Sequence, residues 1–153
     1  MKSRSTSMRA SGFTLLEVLV TLALLGIVLG LGIRSTFFPY SRANITGERD
    51  LIVALLSRAR SRAMGNDSNV PHGFCYDAIG VYEVFRSPYA SNAKEEYGTK
   101  SASVIVSGVP TCGSGNEIIF TQLSGTTSPA EIDLSQGDAS TSIQVNNEGT
   151  ILW

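Results

Sequence analysis

The sequence predicts an α+β protein, with one long amino-terminal helix followed by an antiparallel β-sheet head. Three observations carry this. Residues 13–33 form an almost unbroken apolar run in which Glu17 is the single charge. From about Tyr40 to Met64, apolar side chains recur at helical spacing. From residue 70 onward the pattern changes to short apolar or alternating segments broken by Gly, Pro, Asn and Asp. A length of 153 residues suits one domain with one core.

The first element runs from Phe13 to Ile33 and contains 21 residues. As an α-helix it would extend roughly 31 Å, which matches the hydrocarbon core of a bilayer. A cleaved secretory signal has an apolar region of about 7–15 residues and then a small-residue cleavage site. This run is longer, and no Ala-x-Ala follows it, so the helix is expected to stay in the mature chain. Lys2, Arg4 and Arg9 precede it, and Arg34, Arg42 and Arg49 follow it. Charge alone therefore does not orient it. Gly26, Gly30 and Gly32 soften the helix or permit close helix packing.

Pro39 lacks a backbone donor and is expected to bend or interrupt the helix near Phe37 and Phe38. The alternative is a plain end to the membrane helix. The helix then resumes. Ile45, Ile52, Leu55, Leu56, Ala59 and Ala63 form an apolar stripe that should pack on the head. Arg49, Arg58, Arg60 and Arg62 fall mainly off that stripe. Gly65-Asn66-Asp67-Ser68-Asn69 reads as a stop and loop.

In the head, Gly73–Asp77 and Val81–Arg86 are expected to pair around Ala78-Ile79-Gly80. Residues 87–102 are polar, contain Pro88, Asn92 and Gly98, and read as a long loop. Ser103–Ser107 and Glu117–Leu123 follow as strands. Glu131–Ser135 and Ser142–Asn146 alternate, Asn147-Glu148-Gly149 signals a turn, and Thr150–Trp153 ends the chain as a short strand. Ile132, Leu134, Ile143, Val145 and Ile151 are the expected sheet core.

The formal net charge is −1, so overall charge selects no acidic or basic partner. Its distribution is uneven. Residues 34–62 carry six Arg against Glu48 and Asp50, and residues 71–153 carry nine acids against Arg86, Lys94 and Lys100. This is a basic stem and an acidic head, suited either to head-to-stem packing between copies or to two ordinary solvated faces. Cys75 and Cys112 are the two cysteines. If the head is exported they are a candidate disulfide, with two buried free thiols as the alternative.

Catalytic and metal-binding patterns are poor. His72 and Cys75 lie three apart, but spacing does not supply the geometry of an activated nucleophile. One histidine and two cysteines without CxxC spacing argue against zinc. Glu95-Glu96 and Glu131/Asp133 read as strand and loop acids. No Asp-rich calcium loop or phosphate-binding glycine motif is present. The expectation is a chain with no enzyme activity, no cofactor and no metal.

Glu17 is the anomaly. An ionised acid at the centre of a membrane helix costs about 2.5–3.5 kcal/mol, and less near an edge. Glu17 lies within about one turn of Phe13, so it either reaches the headgroups or requires a partner. Gly12-Phe13-Thr14-Leu15-Leu16-Glu17-Val18, after a short basic leader, resembles the processing site of type IV pilins and pseudopilins. The resemblance implies that a prepilin peptidase cuts after Gly12 on the cytoplasmic side and that Phe13 is N-methylated. It further implies that Glu17 neutralises the terminal amine of an adjacent subunit during assembly. A carboxylate and an ammonium attract strongly in low dielectric, and each alone is costly to bury.

The fold implied is pilin-like, with a long transmembrane and amphipathic helix packed on the β-sheet head. Its parts would be a leader at 1–12, a transmembrane helix at 13–33, a periplasmic continuation at 34–64 and a head at 70–153. The tail, from Ile118–Gly125 through Glu131–Ser135 to Ile143–Leu152, more loosely resembles the minor-subunit branch known as GspH/FimT. That branch implies a minor pseudopilin of a type II secretion system. The alternative is a minor type IV pilin acting in pilus assembly, adhesion, twitching or DNA uptake. The implied partners are other pilin or pseudopilin subunits, the prepilin peptidase, the inner-membrane assembly platform and the lipid bilayer. The implied location is a single-pass inner-membrane protein with its head in the periplasm. Residues 146–153 contain no Arg or Lys, which argues against nucleic acid as a partner.

Overall fold

A computed structural model of the chain describes residues 13–34, 37–90 and 93–153, with side chains for all of these except 31–34 and 37–41. The leader, including Gly12, and the side chain of Pro39 lie outside the described residues. The chain divides into two units, residues 1–38 and 39–153.

In the first unit, helix α1 runs Leu15–Arg34. Its 20 residues extend roughly 30 Å as an α-helix. Among the described residues, no helix is long and apolar enough to cross a membrane. Leu15, Leu19, Leu22, Leu25 and Leu29 are all exposed.

Helix α2 runs Phe37–Met64. Pro39 falls in its first turn, where the missing N–H leaves no ladder hydrogen bond unmade. Residues 35–36, where an interruption would begin, lie outside the described residues. The predicted stripe is buried along its full length: Ile45, Ile52, Leu55, Leu56, Ala59 and Ala63 are each at most 5 % exposed. Each buried Ile or Leu side chain contributes about 1.5–3 kcal/mol. Ala59 and Ala63 are small enough to let the carboxy-terminal half of the helix approach the sheets closely.

The head contains two four-stranded antiparallel sheets rather than one. The first has the order β3-β2-β1-β5, with β1 at His72–Tyr76, β2 at Val81–Arg86, β3 at Lys94–Thr99 and β5 at Ile118–Phe120. The second has the order β4-β6-β7-β8, with β4 at Ile105–Ser107, β6 at Ala130–Gln136, β7 at Ala139–Val145 and β8 at Ile151–Leu152. β1 and β2 form the expected hairpin, with Phe74 opposite Val84 and Tyr76 opposite Tyr82. β6 and β7 form a second hairpin, with Ile132 opposite Ile143.

One core joins the α2 stripe to both sheets. Phe74, Tyr82, Val84, Ile118 and Phe120 come from the first, and Ile132, Leu134, Ile143 and Val145 from the second. Ile151 packs against it partly buried. Strand alternation then places Cys75, Glu83 and Phe85 on the opposite face of the first sheet.

Residues 94–99 were expected in a loop and form strand β3. The reason is that the face of β3 turned toward α2 is not apolar. Glu95 and Glu96 meet arginines there, so the strand carries no hydrophobic alternation for a sequence pattern to detect.

The carboxy-terminal turn closes on α2 through glycine. Gly125 and Gly149 both have positive φ, 65° and 73°. A Cβ on Gly149 would overlap the carbonyl oxygen of Gly125 and meet Arg60 Nε at 3.1 Å. The Arg60 guanidinium donates to the Glu148 carbonyl oxygen at 3.0 Å. This explains Gly149 in the tail pattern, since a side chain there would overlap the Gly125 backbone, while one at Gly125 would meet the Met64 side chain of α2. Gly149→Ala is therefore expected to cost about 2 kcal/mol or more. The thermal midpoint of the purified full-length chain, followed by circular dichroism, should fall by roughly 5 °C or more.

Candidate functional site

The amino-terminal segment places Phe13 outside the helix and 83 % exposed. Thr14 precedes the first helical residue, and its Oγ1 accepts a hydrogen bond from the Glu17 amide at 3.3 Å. Thr14-Leu15-Leu16-Glu17 thus has the Thr-x-x-Glu spacing of a capping box, with its hydroxyl half formed. Glu17 stands in the first turn, where the helix dipole favours a negative charge. Its side chain is exposed, and no ion pair to it occurs among the described residues. Thr21 Oγ1 donates to the Glu17 and Val18 carbonyl oxygens, both at 2.9 Å, which satisfies the one hydroxyl on the next turn. Sequence patterning selected Phe13 and Glu17 but missed the capping role of Thr14, although Thr-x-x-Glu ahead of an apolar run is a legible signal.

Among the described residues, three polar clusters involve buried side chains of the head. In the first, Glu48 of α2 is buried on the apolar stripe. It accepts from Tyr82 Oη at 2.6 Å and from the Ser101 amide at 2.9 Å. Burial first, and then the hydrogen bond to Glu48, push the Tyr82 phenol well above its ordinary value of 10.0. One carboxylate thereby ties α2 to β2 and to the segment after β3. Sequence reading counted Glu48 only as a counter-charge on the basic stem, because a single acid on an apolar stripe does not reveal its donors.

The second cluster covers the other face of the first sheet. Cys75 and Cys112 form a disulfide there, with an S–S distance of 2.05 Å. Nearby, buried Glu83 accepts from Tyr89 Oη at 2.9 Å and from Lys94 Nζ. The contact with Glu83 holds the Lys94 ammonium above its ordinary range. Phe85 and Tyr89 meet edge-on at 5.0 Å over this layer.

The third cluster joins α2 to β3. Arg62 pairs with Glu95 at 2.8 Å and with Glu96 at 3.6 Å, and Arg58 pairs with Glu96 at 3.0 Å. Arg86 of β2 and the fully buried His72 of β1 approach Glu95 at 3.2 and 3.1 Å. Neither of these last two nitrogens is aligned for a hydrogen bond. His72 Nδ1 lies 3.1 Å from the Val70 carbonyl oxygen.

His72 and Cys75 point to opposite faces of β1, and the Cys75 sulfur is bonded, so they form no nucleophile pair. Two groups bring potential ligand atoms together, Cys75/Glu83/Cys112 and Asp67/His72/Glu95. In the first the sulfurs are bonded to each other, and in the second Glu95 is already engaged by arginines. Glu131 accepts from Gln144 Nε2 at 3.1 Å on an exposed strand face.

Exposed Phe13, capping Thr14 and the acid one turn in stand together at the start of α1. Residues 7–33 match the family model for the prokaryotic N-terminal methylation motif. The motif match is confined to these residues, and together with the fold of the head it is similar to the pattern of type IV pilins and pseudopilins. The particular likeness is to the minor pseudopilin EpsH from the Type 2 Secretion System of Vibrio cholerae. Its TM-score is 0.53 at 12 % identity, covering 71 % of this chain and 94 % of that one. No curated protein matches the sequence.

The Tyr82 geometry makes a pH prediction. Its pKa is raised on folding, so the folded state holds that proton more tightly. The stabilisation is complete below about pH 10 and is lost as pH rises above the unfolded value. Urea unfolding midpoints should therefore fall between pH 9 and 11 in the native chain. In Tyr82→Phe the fall should be smaller, because no phenol remains to titrate there.

Proposed function

We propose that the chain is a minor pseudopilin, a structural subunit of the pseudopilus of a type II secretion system. The observation that supports this reading is the joint presence of the methylation motif at residues 7–33 and a head fold like that of a minor pseudopilin. In this reading a prepilin peptidase cuts between Gly12 and Phe13, and the new terminus at Phe13 is methylated. Residues 13–33 hold the subunit in the inner membrane, with the head in the periplasm. An assembly platform then moves it into a short filament of sibling subunits.

Glu17 is the docking group. Cutting before Phe13 creates an ammonium beside an unpaired carboxylate on one helix. A neighbour staggered along the filament places its ammonium against Glu17, and in low dielectric the two charges stabilise each other far more than in water. The polar groups of the head are engaged in holding α2 and the sheets together, which supports a scaffold role over an enzymatic one.

Mass spectrometry of the protein isolated from membranes should show a chain starting at N-methylated Phe13. A chain that keeps Met1, with no methylated Phe13 species, would overturn the reading. Glu17→Ala should leave cleavage intact while reducing incorporation into filaments by about tenfold or more, because the neighbour's buried ammonium then has no partner. Normal incorporation of that variant would remove the docking role.

A further inference from the structure

The sequence reads residues 87–102 as a loop, yet residues 94–99 are held as strand β3. Both readings have a physical basis. Lys94-Glu95-Glu96 are weak strand formers. β3 places no side chain in the apolar core, its register with β2 shifts between Val84 and Phe85, and it lies at the edge of its sheet. Against α2 it is held mainly by charge. Arg58 and Arg62 of α2 pair with Glu96 and Glu95, Arg86 of β2 adds a charge contact to Glu95, and His72 Nε2 of β1 lies 3.1 Å from it.

We propose that β3 is a conditional strand. It is ordered by Arg58 and Arg62 and returns to a loop when those arginines are screened, or are engaged by another acidic surface, while the core stays folded. Both ends of the segment are tethered independently. The Arg86 amide donates to the Ala93 carbonyl oxygen at 3.0 Å, the Lys100 amide to the Gly80 carbonyl oxygen at 3.0 Å, and the Ser101 amide to Glu48 at 2.9 Å. Opening therefore bows the middle of the segment out without freeing the chain. It uncovers the buried His72 and bares the outer edge of β2, a row of N–H and C=O groups that another extended chain could pair with. The inference does not depend on which filament the chain joins.

Hydrogen exchange by mass spectrometry on the full-length chain in detergent tests this. Raising NaCl from 0.1 M to 1 M shortens the screening length from about 10 Å to about 3 Å. Amides in 94–99 and their partners on β2 should then exchange about tenfold faster relative to β6 and β7, given several partly exposed pairs acting together. The double variant Arg58→Gln, Arg62→Gln should show the fast exchange already at 0.1 M and lose the salt response. Unchanged exchange in 94–99, or acceleration only in step with β6 and β7, would overturn the proposal. If the double variant does not fold, the salt series on the native chain decides alone.

Discussion

Everything in the head depends on α2 presenting three kinds of surface around one helix. Its apolar stripe fills the core shared by both sheets. Arg58 and Arg62 reach one way, to β3 of the first sheet. Arg60 reaches another, to the turn that leads into β8 of the second. The strands contribute alternating faces, but no strand touches all of these partners. Two small sheets of short strands have little independent stability, so the helix makes them one cooperative body.

The uneven charge along the chain has a local explanation. Among the described residues, two arginines of the stem and four acids of the head are paired within one molecule. Arg58 and Arg62 face Glu95 and Glu96, and Lys94 faces Glu83 and Asp77. Sequence alone left open whether such a dipole serves packing between copies or ordinary solvation. The structure supplies a third use, in which complementary charges fix the edge of a sheet. An exposed pair contributes little by itself, but the set of pairs specifies where a weak strand lies. Among the described residues, the same pairing engages Arg58 and Arg62 of the basic cluster on α2.

Much of this was legible in the amino-acid order. The α2 stripe, the hairpin around Ala78-Ile79-Gly80 and the core places of Ile132 and Ile143 were legible from periodicity and turn residues, because period reports burial; that the last two strands pair with each other was not. β3 was not legible, since its inward residues are acids. Glu48 was not legible either, because its donors, Tyr82 and Ser101, lie 34 and 53 residues away. The two-sheet division also escaped, as alternation marks a buried face without saying which sheet owns it. At the amino terminus the motif was clear in composition, while the role of Thr14 appeared only once the start of α1 was fixed.

That start has a consequence of its own. The first turn of α1 gathers unpaired N–H groups and so carries a partial positive charge. Thr14 holds this end of the helix directly after Phe13. An ammonium created at Phe13 would be pressed against a pole of its own sign, while Glu17 in the same turn is favoured by it. In the proposed docking, the helix would thus repel its own new terminus while stabilising the Glu17 carboxylate offered to a neighbour, and the polarity of the peptide backbone would bias the chain away from self-neutralisation and toward association.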